Sequence, residues 1–570
     1  MASGGQSNLE VGLQVPLPTL PRKKKSSVYV YTRFPEINDN EEGDDDDGDE
    51  EEIEYADLKG RPVHRRTQLL GALAANMGAL ALGTVLSWPA VALPNLRVDP
   101  DFTGNLTTSQ ESWIGSIVSL GAVAAGPVGG VGIELFGRRK AMLVCSVPFF
   151  MGWMLIHFAS SVSHILVGRF VTGFFAGTFA VAAPIFTGEV TDAGIRGAVG
   201  STFDMMISLG ILFIYVVGTF VSWRVQALIC SVVPVVIFLL MLVVPESPVY
   251  LVKKGRMSEG AEALMRYRGA TRIQQIQTEF EEMANEACVQ EGSWVGGFST
   301  VRRRMCEPWI LLPVGIGFCI FAFQVISGLD PVLVYTVDIF HMAGAQLDEY
   351  TSTIIIGTMQ TLAGVVAASL VERCGRRVLL LVSEGAMVVA LGMLGVYFYL
   401  KEANGGVMPV GLGWLPVTSL AVYVLSYSVG MGPVGYTLMG EILPLQVKGL
   451  AGCILTSAKW FMSFLVTKFF QDLLFALGSA GCFWLFGAFC AAGFIFVAAF
   501  VPETKGRSLD EIQQEFRLRF SAPTNSPDES EPLLLPVGIS GRYPGSSSRT
   551  VMDTISESSQ KLREKYAAIV

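Results

Sequence analysis

Apolar residues run along this chain in blocks, and twelve of the blocks are long enough to read as helices: residues 67–93, 111–134, 141–159, 164–187, 198–221, 224–244, 309–337, 351–371, 378–400, 412–438, 450–474 and 481–501. Each comes near the roughly 20 residues that carry a helix across a hydrocarbon core of ~30 Å. A polar stretch, 245–306, divides them into six and six. The expected fold is an all-α membrane protein, with twelve transmembrane helices in two six-helix bundles over 67–244 and 307–501. The stretch between them is itself helix-prone at Ser258 to Gly269 and at Thr271 to Glu291, where Thr271 and Gln274 have capping-box spacing. It predicts short cytoplasmic helices under the bundles.

The polar punctuation between the blocks occurs twice. Glu134-Leu-Phe-Gly137-Arg138-Arg139-Lys140 returns about 240 positions later as Glu372-Arg-Cys-Gly375-Arg376-Arg377. Glu189 with Arg196, seven residues on, is echoed by Glu441 with Lys448. Pro245-Glu246-Ser247-Pro248 is answered by Pro502-Glu503-Thr504-Lys505-Gly506. Three signatures in one order at nearly one offset indicate a duplicated membrane unit, the organisation of many carriers.

Composition agrees, since 51% of the residues are apolar and 16% charged, with mean hydropathy +0.47. Lys and Arg in short loops orient the helices. Arg138, Arg139, Lys140, Arg376 and Arg377 mark their turns as cytoplasmic, and His64-Arg65-Arg66 marks the approach to the first helix. Both termini are then cytoplasmic, and the sequon Asn105-Leu106-Thr107 lies outside as a glycosylation candidate. The net charge of −9 owes much to the acidic run Glu41 to Glu54. That run should keep the 1–66 tail, which has no apolar signal core, disordered in the cytosol.

The four histidines and nine cysteines show no metal spacing, nucleophile motif or phosphate loop, and no cysteine falls in an outside loop. No catalytic constellation, cofactor, metal or nucleic-acid partner is expected. The driving force must be a gradient. In the tail at 502–570, Glu529-Ser-Glu-Pro-Leu533-Leu534 has the form of an acidic dileucine string that sorting adaptors read.

These motifs together resemble the sugar porter family of the major facilitator superfamily over about residues 65–517, with Val167-Gly168-Arg169-Phe170 as a further match. Ala183-Pro184-Ile185-Phe186-Thr187-Gly188-Glu189, Met439-Gly440-Glu441-Ile442-Leu443-Pro444 and Val466-Thr467-Lys468 are most similar to insect facilitated trehalose transporters. The resemblance implies the major facilitator fold. It also implies a cytoplasmic gate of Glu134, Arg138, Arg139, Glu189, Arg196, Glu246, Glu372, Arg376, Arg377, Glu441, Lys448 and Glu503. Arginine can hold a carboxylate by two parallel bonds, so such pairs would latch the cytoplasmic side shut. The bland alternative is that the basic turns only set orientation.

At the positions where the family carries neutral sugar-binding groups, this chain has Asp204, Gln324, Asp330, Tyr436, Lys459 and Trp460. Ionisable residues at mid-membrane cost about 2.5–3.5 kcal/mol each on insertion scales. Asp204, Asp330 and Lys459 therefore call for pairing or function, and they are expected to share one cavity. His157 reads as a packing residue, Lys468 with Asp472 as an ion pair, and Gly432-Pro433-Val434-Gly435 as a break in the tenth helix.

The expected function is alternating-access transport of a sugar, trehalose or hexose, or of a similar small polar solute, by facilitated diffusion. The expected location is the plasma membrane, with an endosomal or lysosomal pool set by the tail. Proton coupling, a charged or zwitterionic solute, and a non-transporting nutrient receptor remain open.

Overall fold

The computed structural model describes residues 65–102, 106–294, 307–344, 346–407, 411–444, 447–507 and 509–520. Asn105 and the tail residues Glu529, Leu533 and Leu534 lie outside these, as does the Glu372 side chain. Among the described residues no strand occurs.

The first bundle comprises α1 (Arg65–Val98), α2 (Thr108–Phe136), α3 (Arg138–His157), α4 (Val162–Val190), α5 (Ala193–Phe220) and α6 (Trp223–Val243). A small polar block follows, with α7 (Pro248–Lys253), α8 (Met257–Arg268), a 3₁₀ turn at Ile273–Ile276 and α9 (Gln277–Trp294). Its own core is Val252, Ala261, Leu264, Ile276 and Phe280. Gly269, at φ 67°, ends α8. Gln275, not Gln274, caps the 3₁₀ turn, its Oε1 accepting from Thr271 N at 3.0 Å.

The second bundle is less regular than the apolar blocks suggest. The block at 309–337 is α10 (Pro308–Ile326), α11 (Leu329–Val334) and the start of α12 (Thr336–Ala343), because Gly328 at φ 91° breaks the ladder. Then come α13 (Glu349–Cys374) and α14 (Arg376–Ala403). The tenth block divides into α15 (Leu415–Val429) and α16 (Met431–Ile442). The break is at Gly430, φ −122° and ψ −75°, just upstream of the expected Gly432 to Gly435. Pro433 falls in the first turn of α16, where a missing N–H costs nothing.

The last two blocks form one continuous run, α17 (Lys448–Phe500), of 53 residues. Straight, it would reach about 80 Å, far beyond a bilayer. Gly478, at φ 70° and ψ 169°, ends one crossing and starts the next. Among the described residues, eleven candidate membrane spans, one of them this double crossing, thus give twelve passes. A further helix, α18 (Leu509–Phe520), was not foreseen from the tail sequence. It buries Ile512 and Phe516 and lays Arg517 over the Trp309 ring at 4.3 Å.

Lipid offers no hydrophobic drive between helices, so close approach depends on small residues. Gly83 of α1 lies against the Ile207 carbonyl of α5, and Gly210 of α5 against the Leu80 carbonyl of α1. A Cβ on either would come within 2.1 and 2.2 Å of those oxygens.

Candidate functional site

The two Gly-Arg-Arg turns share one end of the bundles with α7 and α18, called here the turn end. Gly137 and Gly375 have φ 95° and 90°, a region that favours glycine. Each is also pressed by a carboxylate: a Cβ would lie 2.6 Å from Glu246 Oε2 or 2.7 Å from Glu503 Oε2. These acids satisfy the first amides of the helices that the glycines begin. Glu246 accepts from Arg139 N at 2.9 Å and Ser247 N at 3.0 Å. Glu503 accepts from Arg376 N at 3.0 Å, Arg377 N at 3.2 Å, and Thr504 N and Lys505 N at 3.0 Å each. Burial pushes the Glu503 carboxyl up, but the backbone donors of Lys505, Arg376, Arg377 and Thr504 outweigh it, and its pKa lies below the usual carboxylate value.

The arginines repeat one geometry in both halves. Arg138 Nε and Nη2 converge on Glu189 Oε1 at 3.1 and 2.9 Å, and Arg376 Nε and Nη2 on Glu441 Oε1 at 3.1 and 2.8 Å. The other carboxylate oxygen takes a hydroxyl, Ser247 on Glu189 and Thr504 on Glu441, each at 2.5 Å. The two bonds therefore do not fork across both oxygens as the motif suggests. Glu134 adds a second contact to Arg138 at 3.0 Å.

Several expected partners differ. Arg139 donates to the Met241 and Leu242 carbonyls, and Arg377 to that of Ala498. Arg196 reaches Thr191 O at 3.3 Å, and Lys448 reaches Gly440 O at 2.7 Å. The Arg–carboxylate pairs of this cluster lie within one half. In this conformation they brace helix ends and do not latch the halves together.

The halves are bonded at the opposite, loop end. Arg97 of α1 grips Glu111 at 2.7 Å and Asp338 of α12 at 2.6 Å. Lys468 of α17 donates to Ser112 Oγ at 2.6 Å and Ser109 O at 3.2 Å, feels the expected partner Asp472 through its charge, and lies 4.9 Å over Trp113. Ser119 and Ser463 meet at 3.2 Å, and Tyr215 OH donates to Leu333 O at 3.0 Å. His157 contacts the Arg224 carbonyl through Nδ1 at 2.8 Å, in keeping with packing.

Between the two ends, the six singled-out residues form two groups. Lys459 of α17 places Nζ 2.8 Å from Tyr436 OH, 4.4 Å over that ring, 5.5 Å over Phe321 and 6.0 Å over Trp460, an aromatic cage for an ammonium. Asp204 of α5, half-buried in the other bundle, feels this positive charge. Asp330 is separate: at the start of α11, its charge acts on the Tyr423 and Tyr427 hydroxyls. Gln324, buried, donates Nε2 to the Met431 and Gly432 carbonyls at 3.1 and 3.2 Å beside the α15–α16 break. Its Oε1 makes no hydrogen bond.

Sequence reasoning did not give Arg169 a role. It is fully buried in α4 and donates to the Ile114 and Val85 carbonyls at 3.2 and 2.5 Å, with Trp88 5.3 Å away. An arginine inside an apolar block was the available signal. Arg97, Glu111 and Asp338 also went unremarked, because they fall at helix ends where charge is ordinary.

The family model "Sugar (and other) transporter" matches residues 36–516. A facilitated trehalose transporter, Tret1 of Apis mellifera ligustica, is 37% identical over 472 residues, covering 81% of this chain and 91% of the relative. The chain belongs to the sugar transporter family. Tret1 of Polypedilum vanderplanki is 36% identical over 456 residues, covering 80% of this chain and 89% of the relative. Among solved structures, the major facilitator superfamily proton:xylose symporter XylE bound to 6-bromo-6-deoxy-D-glucose aligns with TM-score 0.64 at 23% identity, covering 79% of this chain and 99% of that one. The partially occluded inward-open form of the xylose transporter XylE from E. coli gives TM-score 0.64 at 22%. This sugar transporter family member thus has the major facilitator fold, and it is a membrane carrier, not an enzyme.

Proposed function

We propose that this family member carries trehalose or a similar neutral sugar by facilitated diffusion across the plasma membrane. Its turn end and both termini are cytoplasmic in this reading. One observation carries it: side-chain bonds join the two halves at the loop end, while the paired charges at the turn end stay within their own half. That arrangement is one of the two states of an alternating-access carrier, the one facing inward. The relatives named as facilitated trehalose transporters support the choice of solute.

Asp204, Gln324, Asp330, Tyr436, Lys459 and Trp460 line the path, with Gln324 Oε1 as an acceptor for a sugar hydroxyl and the Tyr436 and Trp460 rings as faces for its C–H groups. The Arg138 and Arg376 clusters, with Arg196 and Lys448, hold the helix ends that must meet when the turn end closes, and Glu372 is a further proposed gate residue. Asn105 is the proposed glycan site. Glu529, Leu533 and Leu534 are the proposed adaptor signal for an endosomal or lysosomal pool.

Purified protein in liposomes, offered labelled trehalose, glucose and an amino acid, tests this reading. Trehalose should equilibrate to equal concentrations inside and out, whether or not a proton gradient is imposed, and the amino acid should be excluded. Concentration of sugar by the gradient would make the protein a coupled carrier. No flux from correctly inserted protein would favour a receptor.

A further inference from the structure

Glu384 of α14 is fully buried, and among the described residues its carboxyl oxygens find no well-formed hydrogen bond, only the weak donor of the Cys490 thiol alongside. Gly493 of α17 closes over it so tightly that a Cβ there would lie 2.8 Å from Oε1. The titratable neighbours are all acids. From α17 it meets the Cys490 thiol, and the Tyr423 hydroxyl of α15, which donates to Ser327 O at 3.0 Å, is near enough to feel its charge. Beyond Tyr423 lies Asp330 of α11. Among the described residues no Lys or Arg forms an ion pair with Glu384, and no cation acts on it. A carboxylate so placed has nothing to replace its hydration, whereas the neutral acid needs far less.

The residue beside it lies against the break in the tenth crossing. Ser383 Oγ donates to Ser426 O at 2.8 Å and accepts from Met431 N at 3.2 Å, so it bonds to both α15 and α16 across Gly430. Gly430 itself is packed onto Ser383, since a Cβ would come within 2.4 Å of the serine Cβ. The packing seen here needs the Glu384 carboxyl without charge.

The structure assigns Glu384 as a proton-binding site that regulates the carrier: the inward-facing packing forms with the carboxylic acid and is opposed by the carboxylate. The proton is taken up when α14, α15 and α17 close, and it returns to the solution it came from when they part. Occupancy sets the rate of cycling and moves no net proton with sugar. This inference rests on the carrier reading above and adds a regulator to it.

The test is trehalose exchange in liposomes with the same pH on both sides. Wild-type exchange should slow on the alkaline limb by up to about tenfold per pH unit, the limit for one proton. Glu384→Gln, which cannot ionise, should keep the low-pH rate throughout, and Glu384→Asp should retain a limb. A limb unchanged in Glu384→Gln, or a flat wild-type profile, overturns the assignment. Exchange at low pH with a flat profile would leave the carrier reading standing while removing this one.

A second readout uses the wild-type protein alone, should the glutamine variant fail to fold. An apolar carbodiimide, which reacts with protonated carboxyls, should label Glu384 during exchange, and labelling should fall as pH rises. Mass spectrometry finding Glu384 unlabelled at every pH would overturn the proposal equally.

Discussion

Glu503 holds its charge against burial with four backbone N–H groups, and the consequence appears in acid. A carboxyl whose folded pKa lies below its unfolded value stabilises the fold above the unfolded value, and that contribution is lost as pH falls through the folded one. Thermal unfolding of the detergent-solubilised protein should therefore show a fall in Tm on the acid side of the carboxylate range. Glu503→Gln should have a lower Tm at neutral pH and a shallower acid limb. An unchanged limb would mean that the turn at Gly375 draws no stability from this charge. The motif was legible because it occurs twice, but its wiring was not. Sequence names Arg376, Glu441 and Glu503 together without saying that one acid takes the guanidinium and the other the amides.

The same divide applies to the mid-membrane charges. That Asp204, Asp330 and Lys459 are out of place in an apolar helix could be read directly; that the charge of Asp330 acts on Tyr423 and Tyr427 could not, because the break at Gly328 sets where α11 begins. A double-mutant cycle with Asp204→Asn and Lys459→Met should return a coupling of about 0.5–3 kcal/mol in stability or transport. The cycle pairing Asp330→Asn with Lys459→Met should be additive. Equal coupling in both cycles would return all three charges to one cluster.

At the scale of the element, apolar blocks gave the number of crossings but not their interruptions. Block length reports hydrocarbon thickness, whereas Gly328, Gly430 and Gly478 act through backbone angles, and only some glycines take them up. Short α18 stayed hidden because its apolar residues, Ile512 and Phe516 among them, are interspersed with charged ones in a segment of only 12 residues. The α1–α5 crossing gives an element-level test. Gly210→Val places a side chain where a Cβ already comes within 2.2 Å of the Leu80 carbonyl, so no rotamer relieves it. A destabilisation above about 3 kcal/mol is expected, seen as loss of folded protein at moderate temperature. Gly132→Ala, with nothing within 4 Å, should behave like the parent. Similar losses in both would indicate a general intolerance and no specific close crossing.

At the scale of the molecule, the repeat and the charge pattern conveyed the paired bundles, yet they left the conformation undetermined. Both states of a carrier share one sequence, and only contacts between distant residues tell them apart. Here the Ser119 and Ser463 hydroxyls, from α2 and α17, stand 3.2 Å apart in the bonded loop end. If the two halves must separate there to accept solute, tying them together stops the cycle without touching the central residues. Ser119→Cys with Ser463→Cys should transport under reducing conditions, lose exchange on oxidation and regain it with reductant. Each single variant should ignore the oxidant. Full exchange in the oxidised double variant, with the disulfide verified by mass, would mean that the loop end does not part during transport and that the gate lies elsewhere.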